Sequence, residues 1–144
     1  MKNFILSLVL FLGYTSVGYS QEGAEISFEE EKYSFGELDE GPKVSHEFTF
    51  TNTGSEPLVL SNVKASCGCT TPSWPKDPIL PGEEGTILVT YNTANRVGSF
   101  NKSITITSNA VEPTKVIFIS GKVIAVPEEE TMPIKQPIMM APGN

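Results

Sequence analysis

Cys67 and Cys69, the two cysteines of this 144-residue chain, flank Gly68 in the string Ser66-Cys67-Gly68-Cys69-Thr70. Thiols at that spacing offer three kinds of chemistry: a bridge, thiol–disulfide exchange, or capture of a soft metal ion. In extended backbone, residues i and i+2 point the same way with Cα atoms about 6.5 to 7 Å apart, at the edge of what a disulfide tolerates. Gly68 permits the chain to fold inward, because glycine can take backbone angles closed to other residues, so a strained Cys67–Cys69 bridge is feasible in an oxidising compartment. Closing so small a ring removes little unfolded-state entropy, at most about 1.5 kcal/mol, which makes stability a poor reason for it.

A redox role asks for a thiol acidified by a helix amino terminus or by nearby cations. The following Thr70-Thr71-Pro72-Ser73-Trp74-Pro75 cannot begin a helix, and only Lys64 and Lys76 are close in sequence. A metal role would draw on His46 and on Met132, Met139 and Met140 as third and fourth soft ligands, a set that favours Cu(I); zinc would want a second cysteine pair. A structural role, bridged or simply buried, lacks the fewest supporting features. Redox exchange and copper binding stay open behind it, and nothing in the sequence demands a cofactor.

His46 is the chain's one histidine and alternates with Val44, Phe48 and Phe50, which places it on an apolar strand face as a buried or rim histidine with one hydrogen-bond partner. It has no serine or acidic partners at the spacing of a triad. No Gly-x-Ser-x-Gly, phosphate-cradling glycine loop or paired-histidine motif occurs, so hydrolase and nucleotide chemistry are not expected. Trp74, among Pro72, Pro75 and Pro78, has two readings: a contact anchor on a proline-stiffened loop that also carries Thr70 and Pro72, or a lid over one end of the fold.

The elements that must hold these residues are strands. Period-two alternation runs through Val44 to Thr51, and similar segments span Leu58 to Val63, Thr86 to Tyr91 and Ser103 to Thr107. Lys115 to Ile119 is apolar on both faces, as in a strand covered on both sides, and continues through Gly121 into Val123-Ile124. An opening pair at Ile26–Phe28 and Tyr33–Phe35 brings the count to about seven. Between them lies turn chemistry, at Gly41-Pro42, Asn52 to Pro57, Pro81-Gly82, Asn92 to Asn95, Ser108-Asn109 and Glu112-Pro113, which leaves no room for a helix. The pattern predicts an all-β, immunoglobulin-like β-sandwich of about seven strands. Without two distant cysteines to bridge the sheets, apolar packing must hold them, with Phe48, Phe50, Leu58, Leu60, Ile87, Val89, Ile104, Ile106 and Phe118 as the expected core.

Residues 1–20 read as a cleaved signal peptide: Lys2 precedes an apolar run from Phe4 to Leu12, and Gly18 and Ser20 supply a small-residue cleavage site. The run is too short for a membrane anchor, and no cysteine stands at the cleavage site to take a lipid. Residues 21–126 form the domain. Residues 127–144, beginning Pro127-Glu128-Glu129-Glu130 and containing Pro133, Pro137, Pro142 and the three methionines, read as a disordered tail. With 17 acidic residues against 10 basic ones, the chain carries a formal charge of −7 and is poorly suited to nucleic acid or anionic lipid.

Taken in order, Phe48-Thr49-Phe50-Thr51-Asn52-Thr53-Gly54, Pro57-Leu58, the Ser66 to Thr70 string with Pro72 and Trp74, Pro81-Gly82, Tyr91-Asn92-Thr93, Gly98 to Lys102 and Ser108-Asn109 resemble the bacterial domain-of-unknown-function family 1573. The resemblance covers about Phe28 to Val126, and its Phe-x-Asn-x-Gly element is shared with Hydin-type domains. It implies an immunoglobulin-like domain exported by bacteria, often Bacteroidota, and brings no catalytic residues. The expectation is therefore a secreted or periplasmic, non-enzymatic module that meets another envelope or extracellular protein. The rival is a thiol redox or Cu(I)-binding protein acting through Cys67 and Cys69.

Overall fold

The computed structural model describes residues 22–127, so the leader expected at 1–20 and all of the expected tail beyond Pro127, with its methionines, lie outside it. Eight strands follow in order: β1 (Ile26–Phe28), β2 (Lys32–Asp39), β3 (Lys43–Asn52), β4 (Leu60–Ala65), β5 (Thr70–Ser73), β6 (Glu84–Asn92), β7 (Gly98–Ser108) and β8 (Thr114–Ile124). They form two four-stranded sheets, β1-β3-β6-β5 and β2-β8-β7-β4. All pairings are antiparallel except β2 with β8, which is parallel and bulged between Ser34 and Glu37. The fold is the immunoglobulin-like sandwich that the alternation predicts.

Each strand gives one face to the space between the sheets. In β3 the inward set ends in Phe48 and Phe50, both fully buried, and β6 opposes it with Ile87, Val89 and Tyr91. From the other sheet come Ile104 and Ile106 of β7 and Ile117 and Ile119 of β8. Tyr91 stacks on Phe100 across the gap, with ring centroids 4.0 Å apart. Fully burying one such side chain contributes roughly 1.5–3 kcal/mol, so no bridge between the sheets is needed.

Eight of the nine expected core residues are 5% exposed or less, and Phe118 is the correction. The run around it is not covered on both faces: Ile117 and Ile119 point inward, while Phe118 lies half-buried on the outer face with the Lys32 ammonium 6.0 Å from its ring centroid. The apolar segment at Leu58 also divides. Leu58 forms an isolated bridge with Ile79, and the strand proper runs from Leu60 to Ala65. The eighth strand is β5, drawn from the segment expected to be loop. A four-residue edge strand tolerates Pro72 because one of its sides has no ladder to break.

Polar groups lock the sandwich at both ends. Asn52, at the end of β3, is fully buried with both ends of its amide engaged. Its Oδ1 accepts from the Glu25 and Gly54 amides at 3.3 and 3.0 Å, and its Nδ2 donates to the Glu56 and Ile79 carbonyls at 2.8 and 2.9 Å. At the other end Thr93, also fully buried, donates to the Pro42 carbonyl at 2.6 Å and accepts from the Gly41 amide at 2.9 Å.

Candidate functional site

Cys67 and Cys69 lie in the connection between β4 of one sheet and β5 of the other, where the chain crosses the sandwich. A disulfide joins them, with Cα atoms 5.3 Å apart. The backbone has folded inward at Gly68, whose Cα faces open space: a Cβ there would meet nothing within 4 Å. Both flanks of the ring are pinned. The Ser66 amide donates to the Ser103 carbonyl of β7 and the Asn92 amide of β6 donates to the Cys69 carbonyl, each at 2.9 Å. Cys67 is half-buried and Cys69 is 9% exposed. The hydroxyl of Thr70, a residue only 4% exposed, lies 3.6 Å from the Cys67 Sγ and 3.9 Å from the Cys69 Sγ.

So short a ring constrains the unfolded chain weakly. Replacing both cysteines by serine should lower stability by no more than about 1.5 kcal/mol in a urea melt, with an unchanged slope. A much larger loss would mean that the bridge is holding the two sheets together.

Thr70, Pro72 and Trp74 occupy positions unlike the loop expected for them. Thr70 and Pro72 belong to β5, in register with Tyr91 and Val89 of β6, and the Thr70 side chain points into the fold rather than out to a partner. Trp74 follows the strand, half-buried against the core, with the Lys76 Nζ over its ring at 3.1 Å from the centroid. Its indole N–H is buried and meets no acceptor among the described residues. It borders an open cavity of about 360 Å³ whose lining includes Pro75, Glu84, Gly85 and Leu88.

His46 does not join the cysteines. It sits in register with Val89, which is opposite Pro72, so two strand spacings separate its backbone from β5. Its ring is sandwiched between Tyr33, stacked at 3.5 Å, and the edge of Phe48 at 4.8 Å, and Nε2 bonds Glu30 at 2.7 Å. With the ring committed to Glu30 and the two sulfurs bonded to each other, the copper set of Cys67, Cys69 and His46 is not assembled. Among the described residues no group of three or more His, Cys, Asp and Glu side chains is placed to hold a metal ion.

The open strand edges are blunt. β1 has three residues, β2 and β4 are interrupted by register shifts, and β5 contains Pro72. Such edges discourage another chain from adding a strand, which leaves side-chain surfaces as the means of recognition.

The family model described as protein of unknown function (DUF1573) matches residues 26–123. The chain belongs to the DUF1573 family. The resemblance carried by the Phe-x-Asn-x-Gly element and the Cys-Gly-Cys string is thus borne out, and no curated protein matches the chain. The DUF1573 domain is similar to a crystal structure of a protein of unknown function from Porphyromonas gingivalis W83, with TM-score 0.60 and 20% identity over 76% of this chain and 50% of that one. It is also similar to PapD-like domain 7 of human CEP192, with TM-score 0.61 and 8% identity over 85% and 99% of the two chains. A third likeness is to the Vibrio cholerae VesB protease, with TM-score 0.54 and 18% identity over 68% of this chain but 31% of the protease. At these identities the likeness is one of fold. The DUF1573 domain spans half the length of the first of these chains and less than a third of the protease.

Proposed function

We propose that this DUF1573 domain is an exported, non-enzymatic binding module of the cell envelope, and that it grips a partner protein with the surface around Trp74. The reading rests on one observation above the others: Trp74 lines an open cavity, and its buried indole N–H meets no acceptor among the described residues. Buried donors are nearly always paired, so an unmet one on a half-buried residue marks a surface completed on binding, when a shift of the ring brings the N–H to a partner's carbonyl. Leu88, 37% exposed on the cavity wall, adds apolar area next to it. Tryptophan in such a setting has the properties of an interface anchor. The immunoglobulin-like fold and the apolar run from Phe4 to Leu12, read as part of a leader, support the same reading.

Trp74 is the chain's one tryptophan, so its fluorescence reports on this surface alone. A photo-crosslinking residue at Leu88 should capture a discrete envelope protein in living cells. That purified partner should then shift the Trp74 emission, and Trp74→Ala should weaken its binding at least about tenfold while the domain stays folded. Unchanged binding by Trp74→Ala would sink the proposal. A crosslinked partner that leaves the emission untouched would place the interface elsewhere on the domain.

A further inference from the structure

We infer that the Cys67–Cys69 disulfide is a site of thiol–disulfide exchange, open to a protein dithiol, in which Cys67 is the sulfur attacked and Cys69 the sulfur that leaves. This goes beyond the binding role and does not depend on it.

Four observations carry the inference. The three-residue ring contributes little to stability, so opening it costs the fold little. Taken as whole residues, Cys67 is the more exposed, half-buried where Cys69 is buried but for the cavity it borders, and access decides which sulfur a thiolate reaches. The Thr70 hydroxyl has the two sulfurs as its hydrogen-bond neighbours, and a disulfide sulfur is a weak acceptor. Once a thiolate forms, the same hydroxyl makes a charge-assisted bond without having to move far. Finally, Lys43 and Cys69 line one cavity of about 340 Å³, so a cationic side chain shares the cavity that the leaving cysteine borders.

The reaction balances with the dithiol as reductant. One partner thiolate attacks the Cys67 Sγ; a bond forms between those sulfurs, the Cys67–Cys69 bond breaks, and its electron pair leaves on Cys69. The second partner thiolate then attacks the partner's own first sulfur, expelling Cys67 as thiolate. The partner ends as a disulfide, and the two protons lost from its thiols end on Cys67 and Cys69. The backbone bonds at Ser66 and Asn92 keep both thiols in place, so the pair can close again.

Reduced glutathione serves as the probe. The oxidised protein is incubated with it, quenched with an alkylating agent and mapped by peptide mass. The expected product carries glutathione on Cys67 and the alkyl group on Cys69, in about tenfold excess over the reverse. Thr70→Val should slow its formation roughly tenfold, the effect of one lost hydrogen bond to a thiolate, while Thr70→Ser should react like the parent. Circular dichroism of each variant confirms that the sandwich is intact. An inert disulfide under conditions where a synthetic peptide of residues 66–70 reacts would overturn the inference. So would glutathione found equally on both cysteines, or a Thr70→Val rate equal to that of the parent.

Discussion

Asn52→Leu should cost the domain a large share of its stability. The substitution keeps roughly the shape of the fully buried side chain but removes four hydrogen bonds and leaves the Glu25 and Gly54 amides and the Glu56 carbonyl without the partner Asn52 supplies, while the Ile79 carbonyl keeps the Leu58 amide. At about 1 kcal/mol for each bond, before any penalty for the orphaned groups, the loss is on the order of 4 kcal/mol. That is a large share of the roughly 5–15 kcal/mol that a domain has to lose. Asn52→Asp separates shape from bonding: it keeps the acceptor for Glu25 and Gly54 but turns a second oxygen toward the Glu56 and Ile79 carbonyls. It should be nearly as damaging at neutral pH. Urea midpoints for the two variants check this, and a loss below about 1 kcal/mol in either would show that the four bonds are not what holds this end together.

Gly54→Ala should be the most damaging single-methyl addition in the domain. A Cβ at Gly54 would overlap the Gly23 carbonyl oxygen, the Glu25 nitrogen and the Ala24 carbonyl carbon, all backbone atoms that cannot rotate away. The segment they belong to is held by the Thr53 amide on Glu25, the Ser55 amide on Gly23 and the short strand β1. Relief therefore means peeling β1 from β3, at a cost of about 3 kcal/mol. Hydrogen exchange should show early loss of protection at Ile26–Phe28 with the middle of β7 unaffected. Gly68→Ala is the control. With open space around its Cα it should cost less than about 0.5 kcal/mol.

These two residues explain why Phe-x-Asn-x-Gly is legible as a signature. Phe50 fills the core, Asn52 ties its own turn to the segments at Glu25 and Ile79, and Gly54 admits the amino-terminal segment, so each letter answers a separate physical demand. The strands around them were equally legible wherever one face is buried and the other wet, as in Val44 to Phe50. Legibility fails where that contrast weakens. Phe118 is apolar but lies on an outer face, and hydropathy cannot tell an outer face shielded by Lys32 from a second core. β5 escapes notice because four residues with a proline carry almost no periodic signal; its place is set by Tyr91 and Val89 opposite.

The site was legible in part. Residue types picked out Cys67, Cys69, Trp74 and His46, and extended geometry left the cysteine pair at the limit of bonding. What the sequence could not supply is direction. The inward turn of Thr70 and the commitment of His46 to Glu30 and Tyr33 depend on which face each strand presents and what lies across the gap. The unmet indole N–H of Trp74 is likewise a property of its surroundings, with no counterpart in the residue type.

The parallel pairing of β2 with β8 governs how the chain can acquire this shape at all. Every ladder partner of β2 comes from the last strand of the sandwich, with Glu37 and Lys122, for example, 85 residues apart. As the polypeptide emerges from a ribosome, β2 appears early and must wait for residues beyond Thr114. The β4–β7 pair can form in the meantime but offers β2 nothing to join. Closure is therefore a late, largely all-or-none event, in the slow millisecond-to-second range typical of folds built on distant contacts. Until its final strand is made, the chain has one sheet that cannot close.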